Sequence, residues 1–301
     1  MSVHPHSTLH HRILSWYDGH GRDLPWRQPD VSPWGVFVSE VMLQQTPVAR
    51  VEPRWRDWLD RWPRPADLAR EPVGEAIRAW GRLGYPRRAV RLHAAATAMV
   101  DQYGGRVPNT EAELASLPGV GSYTAAAVAA FAFGLRTVVV DVNVRRVQAR
   151  VITGLAHAAP GLARTEMQVA AQALPPDPAT AVRWNVAVME LGALICTARS
   201  PSCPRCPVAD LCAWQLAGSP PYDGPARRGQ AWEGTDRQLR GAILQVLRDQ
   251  PGPVGIHALR GDTAAHLPTA ADAQRFARCL DSLVADGLVE PRSGNRLSLP
   301  R

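Results

Sequence analysis

The sequence contains no lysine; all 34 of its basic residues are arginine. A chain without a lysine amine cannot form a Schiff base from a side chain. It has no apolar run of membrane-spanning length. Its first residues, Met1 to His11, are polar and His-rich, unlike the apolar core of a signal peptide. Nothing nearby in sequence would fix the geometry of His4, His6, His10 and His11, so this segment reads as a disordered tail. Cysteine is scarce. Of five, four lie between Cys196 and Cys212, and Cys279 stands far away. An odd count without a secretory signal argues against a disulfide framework and for a metal site in a reducing cytoplasm. Alternating strand patterns are few, and there is no internal repeat.

What is present is basic and helical. Hydrophobic residues make up 46% of 301, enough for sizeable cores and room for two domains. The formal charge of +7 and a pI near 9.7 suit a polyanionic partner, nucleic acid first. Arginine grips phosphate bidentately, although a GC-rich genome produces the same bias. From Trp16 to about Trp214 the pattern is helical. Ser32-Pro33 reads as an N-cap with Pro at the first position, opening a helix to about Gln45. Thr110 and Glu113 have capping-box spacing. Leu117-Pro118-Gly119-Val120-Gly121 breaks that helix, and Ser122 to Phe133 forms the next. Gly, Ser and Pro mark 217–235 as a linker. Beyond it, Leu239, Ile243 and Leu247 form one helical stripe and Phe276, Leu280 and Leu283 another. Leu288-Val289 and Leu297-Ser298-Leu299 flank a turn at Ser293-Gly294-Asn295. Helices followed by a hairpin suggest a small winged-helix-like domain over 236–301.

Four features carry chemistry. Cys196-x6-Cys203-x2-Cys206-x5-Cys212 places four thiolates within 17 residues, a spacing that allows an iron–sulfur cluster or zinc. Arg199 and Arg205 lie in the enclosed loops, either presented to DNA phosphates or simply solvated. The Leu117–Gly121 break between two helices reads as a helix–hairpin–helix turn. Gly119 and Gly121 let backbone approach a phosphate, and the next helix offers free N–H groups. Glu40 has Val36, Phe37, Leu43 and Gln44 as neighbours on its helical face. Such surroundings favour a neutral carboxylic acid able to donate a proton, unless Glu40 lies on the surface edge of the stripe. Asp141 ends the apolar run Val138-Val139-Val140 and precedes Asn143, Arg145 and Arg146. It reads as a site carboxylate, a helix N-cap, or both.

These segments occur in a familiar order. Leu24-Pro25-Trp26-Arg27, Ser39-Glu40-Val41-Met42-Leu43-Gln44-Gln45-Thr46, Leu83-Gly84-Tyr85, the hairpin, Asp141-Val142-Asn143-Val144 and Met189-Glu190-Leu191-Gly192-Ala193 all precede the four cysteines. Over roughly Trp16 to Trp214 the chain resembles adenine DNA glycosylases of the MutY type, in the helix–hairpin–helix superfamily. The resemblance implies an all-α, two-lobed fold with one [4Fe–4S] cluster, which decides against zinc. Residues 1–216 would form the catalytic region, with a helical barrel lobe at about 29–137. The cluster lobe would take about 12–28 plus 138–216. It implies Glu40 as the acid that protonates departing adenine and Asp141 as the stabiliser of the sugar cation. Tyr123, Asn143 and Glu190 match active-site positions. Trp26 and Arg27 match the adenine pocket. Gln45, Thr46 and Tyr85 match residues that enter the duplex and sense an opposite 8-oxoguanine.

The implied activity is excision of adenine opposite 8-oxoguanine or guanine in double-stranded DNA, by a monomer on the bacterial nucleoid with no membrane partner. The related lyases use an amine that Tyr123 replaces here, so the enzyme would be monofunctional. Adenine is a poor anionic leaving group and needs protonation, and the resulting oxocarbenium-like sugar needs a carboxylate. Three departures stand out: Val142 replaces a usual Gly, Pro86 replaces a second Tyr, and the tail is too short for the usual Nudix-like domain. Two rivals remain. A mismatch thymine or uracil glycosylase of the same superfamily shares the cluster and hairpin, but Gln44-Gln45-Thr46 and the Glu40–Glu190 pair favour adenine. A non-catalytic iron–sulfur DNA-binding regulator fits the tail, but Glu40 with Asp141 argues against it.

Overall fold

In the computed structural model, helices account for nearly all regular structure. Residues 6–222, 224, 232–267 and 271–301 are described here. In order, the helices are α1 (Ser7–His20), α2 (Pro33–Leu43), α3 (Val48–Arg61), α4 (Pro65–Ala69), α5 (Val73–Trp80), α6 (Arg87–Tyr103), α7 (Glu111–Ser116) and α8 (Ser122–Phe133). They continue with α9 (Val142–Val151), α10 (Arg164–Ala173), α11 (Pro178–Leu194) and α12 (Ala213–Leu216). The C-terminal part carries α13 (Asp236–Asp249), β1 (Val254–Gly255), α14 (Ile256–Ala264), α15 (Ala273–Ala285), β2 (Glu290–Arg292) and β3 (Arg296–Ser298).

Local chemistry sets most boundaries. Ser32 Oγ accepts the Gly35 N–H at 3.2 Å, opening α2. That helix stops at Leu43 rather than near Gln45, because Gln45 adopts φ 56°. A non-glycine residue in the left-handed region cannot continue a right-handed helix. Thr110 Oγ1 accepts the Glu113 N–H at 3.2 Å and donates to its carboxylate at 2.7 Å, so the capping pair forms. The expectation of a disordered N-terminal tail is corrected from Ser7 onward, where α1 begins. His10 is buried there, hydrogen-bonded to the Ala173 carbonyl at 2.7 Å and packed edge-on against Trp184. His4 lies outside the described residues, as do residues 223 and 225–231 of the expected linker.

Contacts divide the chain into two compact units. The first holds the N-terminal segment through Val36, Asn109–Ala115, and Val120 through the cysteine loop. Its core joins α1, α9, α10 and α11 through Ile13, Val144, Val147, Trp184 and Leu191, with Cys196 and Cys212 buried in the same cluster. The second holds Phe37–Pro108, Ser116–Gly119 and the C-terminal elements. In α3, Val51, Trp55 and Trp58 fall on one buried face. Trp58 packs edge-on against Trp62 and Trp80, with ring centroids 4.7 and 5.9 Å away.

Among its described residues the tail has three helices and a three-stranded antiparallel sheet ordered β1-β3-β2, with Pro291 opposite Leu297 in the β2–β3 hairpin. Leu239, Ile243, Leu247, Phe276, Leu280 and Leu283 are all buried. This is a winged-helix-like arrangement. The sequence reading set 236–301 apart as a domain; by contacts it groups with 37–108. The Gly74 N–H donates to the Pro300 carbonyl at 2.9 Å. Arg248 Nε donates to the Ile77 carbonyl at 3.0 Å. Burial lowers the Arg248 pKa to about 10, which still leaves it charged at neutral pH.

Candidate active site and cluster loop

Val138–Val140 runs extended into Asp141, with Val139 and Val140 buried. Asp141 is the N-cap of α9, and one carboxylate oxygen accepts the N–H groups of Asn143 and Val144 at 2.9 and 2.7 Å. The other oxygen accepts Asn143 Nδ2 at 2.7 Å. Side-chain accessibility is intermediate, but protein atoms crowd the group. Burial pushes its pKa up, against the Val144 and Asn143 hydrogen bonds and the Arg146 charge. The result is an anion oriented by three donors yet short of solvation, and so responsive to a nearby cation.

Asn143 and Asp141 connect to the cysteine loop. Arg146 Nη2 donates to Asn143 Oδ1 at 2.7 Å and to the Gly192 carbonyl at 2.6 Å, while its Nε donates to the Cys196 carbonyl at 2.6 Å. Gly192 permits this by its size. A Cβ there would lie 2.6 Å from Asn143 Cβ and 2.9 Å from its carbonyl oxygen.

On α11, Glu190 is fully buried with its carboxylate turned to two arginines. Arg22 Nη2 and Nε donate to it at 2.6 and 2.9 Å, and Arg27 Nη2 donates at 3.0 Å. Burial alone would raise the Glu190 pKa; the Arg22 hydrogen bonds and the charges of Arg27 and Arg22 outweigh it, and the net direction is down. Trp26 is buried in the Pro25–Arg27 turn beside this group in sequence. Tyr123 is partly buried in the first turn of α8, packed against a small cluster with Ala127 and Val139.

The second unit carries Glu40, Gln45, Thr46, Tyr85 and Gly119, whereas Gly121 belongs to the first. Glu40 is buried on α2 next to Ser39 and Val41, also buried. Gln45 and Tyr85 are exposed, and both have positive φ, 56° and 47°. Thr46 is not exposed. Its hydroxyl donates to the Leu83 carbonyl at 3.1 Å and accepts from Arg88 at 2.9 Å, so it shapes its turn from inside. Gly119 has φ 77° and Gly121 caps α8 in an extended conformation; the hairpin from Pro118 to Gly121 is largely exposed.

All four loop cysteines line one cavity, with Arg150, Trp214 and Gln215 also on its wall. Burial pushes the Cys206 thiol up to about 11, and the other three cysteines add to it. Burial also raises the Cys196 thiol, against the hydrogen bond and charge of Arg150. The buried Arg150 donates to Cys196 Sγ at 3.5 Å, and Gln215 to Cys203 Sγ at 3.1 Å. Four cysteines around one cavity form a donor set of the kind that holds an iron–sulfur cluster. Arg199 and Arg205 are exposed on the same loop.

With this geometry in view, the relatives are informative. Residues 38–171 match the model of the HhH-GPD superfamily of base excision DNA repair proteins. Residues 196–212 match the iron–sulfur binding domain of endonuclease III. Adenine DNA glycosylase of Mycobacterium tuberculosis is 52% identical over 96% of this chain and 92% of its own.

The chain belongs to the adenine DNA glycosylase family.

The Mycolicibacterium smegmatis relative, also an adenine DNA glycosylase, is 49% identical over 95% of this chain and 94% of its own. A solved thermostable thymine-DNA glycosylase superposes with a TM-score of 0.63 at 28% identity, covering 70% of this chain and 96% of that one. This family member is therefore a DNA N-glycosylase of base excision repair carrying one [4Fe–4S] cluster, whose binding domain matches residues 196–212. No helix among the described residues is long and apolar enough to cross a membrane. Sequence reasoning missed Arg22, Arg88 and Arg150, and placed Arg146 only as a neighbour of Asp141 in sequence. Each acts through partners remote in sequence, and the uniform use of Arg hid them among surface charges.

Proposed function

We propose that this adenine DNA glycosylase hydrolyses the N-glycosidic bond of adenine facing 8-oxoguanine or guanine in duplex DNA, as a monomer on the nucleoid, and leaves the strand intact. The observation that carries this reading is Asp141, an underhydrated carboxylate fixed by three donors at the head of α9. Extruding the target base costs a few kcal/mol. Gln45 and Tyr85 enter the duplex to offset that cost, and the Pro118–Gly121 hairpin with Arg199 and Arg205 holds the backbone. Trp26, Arg27 and Glu190 receive the base. Glu40 protonates the departing adenine, and Asp141 with Asn143 stabilises the cationic sugar until water adds. Tyr123 occupies the position of an amine nucleophile, and no lysine exists to replace it. When bound, the cluster supplies a rigid frame for the loop bearing Arg199 and Arg205. The catalytic region of 1–216 and the tail of 236–301 would then divide chemistry from support.

The test is base release from A:8-oxoG, A:G and T:G duplexes with Glu40→Gln and Asp141→Asn. Each substitution keeps the shape, so DNA binding should persist while single-turnover release falls by at least about 10²-fold, as for lost general acid or electrostatic catalysis. Release of thymine but not adenine would replace this reading with the thymine glycosylase alternative. Near-wild-type release by either variant would remove that residue from its role.

A further inference from the structure

Arg88 is the least expected charge in the second unit. It is buried on α6, at 6% exposure, and no ion pair to a carboxylate is found for it among the described residues. Its Nη1 donates to the carbonyls of Val41 (2.9 Å), Met42 (3.0 Å) and Gln44 (2.6 Å). Its Nη2 donates to Thr46 Oγ1 (2.9 Å) and the Gly84 carbonyl (3.1 Å). Nε has no partner. The guanidinium carbon lies 5.1 Å from the Trp80 ring centroid and 5.5 Å from that of Tyr85. Burial brings its pKa down to about 10, so it remains a cation at neutral pH.

These acceptors are not a random set. Val41 and Met42 belong to the last turn of α2, whose carbonyls lack intrahelical donors. Gln44 and Thr46 bracket Gln45, and Gly84 precedes Tyr85. Gln45 and Tyr85 are exposed non-glycine residues held at φ 56° and 47°. Such conformations persist only where surrounding structure over-determines them. One planar fork joins both turns, Thr46 passes the link on to the Leu83 carbonyl, and Trp80 Nε1 adds a 2.9 Å bond to the Gly84 carbonyl. A lysine ammonium, a point donor, could not span the same acceptors.

We propose that Arg88 is a positioning residue that holds Gln45 and Tyr85 together in the backbone conformations with which they enter DNA. This rests on reading those two residues as duplex-entering. Arg88 touches neither base nor sugar in this role. It fixes the spacing and direction of two exposed side chains before DNA arrives, so that strain is met in folding rather than in binding.

The test uses the full-length, cluster-loaded protein and two duplexes carrying 2-aminopurine beside the target adenine. In one, adenine faces 8-oxoguanine; in the other it faces an abasic analogue, so no opposite base must be displaced. Arg88→Lys should lower both the fluorescence rise and single-turnover release on the first duplex by at least about tenfold, a usual coupling for residues in contact. On the second it should return to within a few-fold of wild type. In a Gln45→Ala/Tyr85→Ala background it should cause no further loss. Thr46→Val, which removes one acceptor of the fork, should show a weaker form of the same pattern, and decides the matter alone if Arg88→Lys fails to fold. Equal losses on both duplexes, losses that add fully to the double variant, or no loss at all would overturn the role of Arg88. Wild-type fluorescence and release by Gln45→Ala/Tyr85→Ala would instead overturn the duplex-entering reading, and this inference with it.

Discussion

Replacing Gly192 by alanine tests whether the closeness of α9 and α11 organises the Asp141 site. The added methyl would sit 2.6 Å from Asn143 Cβ, 2.9 Å from its carbonyl oxygen and 3.0 Å from its carbonyl carbon. Two of these are backbone atoms, so no rotamer change relieves them. Reaching ordinary contact near 3.4 Å requires an opening of about 0.8 Å at the first turn of α9. Overpacking of this kind costs about 1–3 kcal/mol of stability. The functional loss should be larger in proportion, because Asn143 gives Asp141 two of its three hydrogen bonds. A displacement near 1 Å at a reacting group costs up to about 10²-fold in rate. The measurement is single-turnover adenine release at saturating enzyme, with thermal melting and iron content in parallel. Gly241→Ala is the control. Gly241 is also helical, a Cβ there meets nothing within 4 Å, and the change should stabilise by about 0.5–1 kcal/mol. If Gly192→Ala melts with the wild type and excises within a few-fold of it, the close approach of α9 and α11 does not position Asn143.

Burial raises the folded pKa of Asp141, so its ionisation opposes folding at neutral pH; wild-type melting temperature should rise relative to Asp141→Asn as pH falls from that pKa towards the unfolded value near 3.8, and no relative rise would contradict the burial argument. For the same reason, the acid limb of wild-type release should lie above the ordinary aspartate range near 3.8. Cys203→Ser should lose iron and destabilise the first unit, whereas Cys279→Ser, buried in the tail, should keep full iron content; equal iron in both would count against the ligand set. Borohydride should trap no enzyme–DNA adduct at levels matching base release, and abasic product should break only with alkali or heat. Stoichiometric trapping would show an amine nucleophile that the lysine-free sequence does not suggest.

Much of this protein was legible where cause and effect lie within a few residues. The caps Ser32, Thr110 and Asp141, the extent of α8, the buried stripes of α13 and α15 and the cysteine spacing all follow from short-range hydrogen bonding and periodicity. The missing lysine is a property of composition alone. Tertiary structure decided which arginines are internal. Arg22 meets Glu190 across 168 residues, Arg150 meets Cys196 across 46, and Arg88 reaches Val41 across 47. Nothing local separates these from the solvated arginines around them, because a guanidinium's role depends on which acceptors the packed helices bring to it. The same holds for His10, drawn into a helix and against Trp184 by a core built from α10 and α11, and for the tail, whose Pro300 and Arg248 find their partners on α5. Periodicity tells which face of a helix is apolar; only the fold tells what that face, or a charge beside it, will meet.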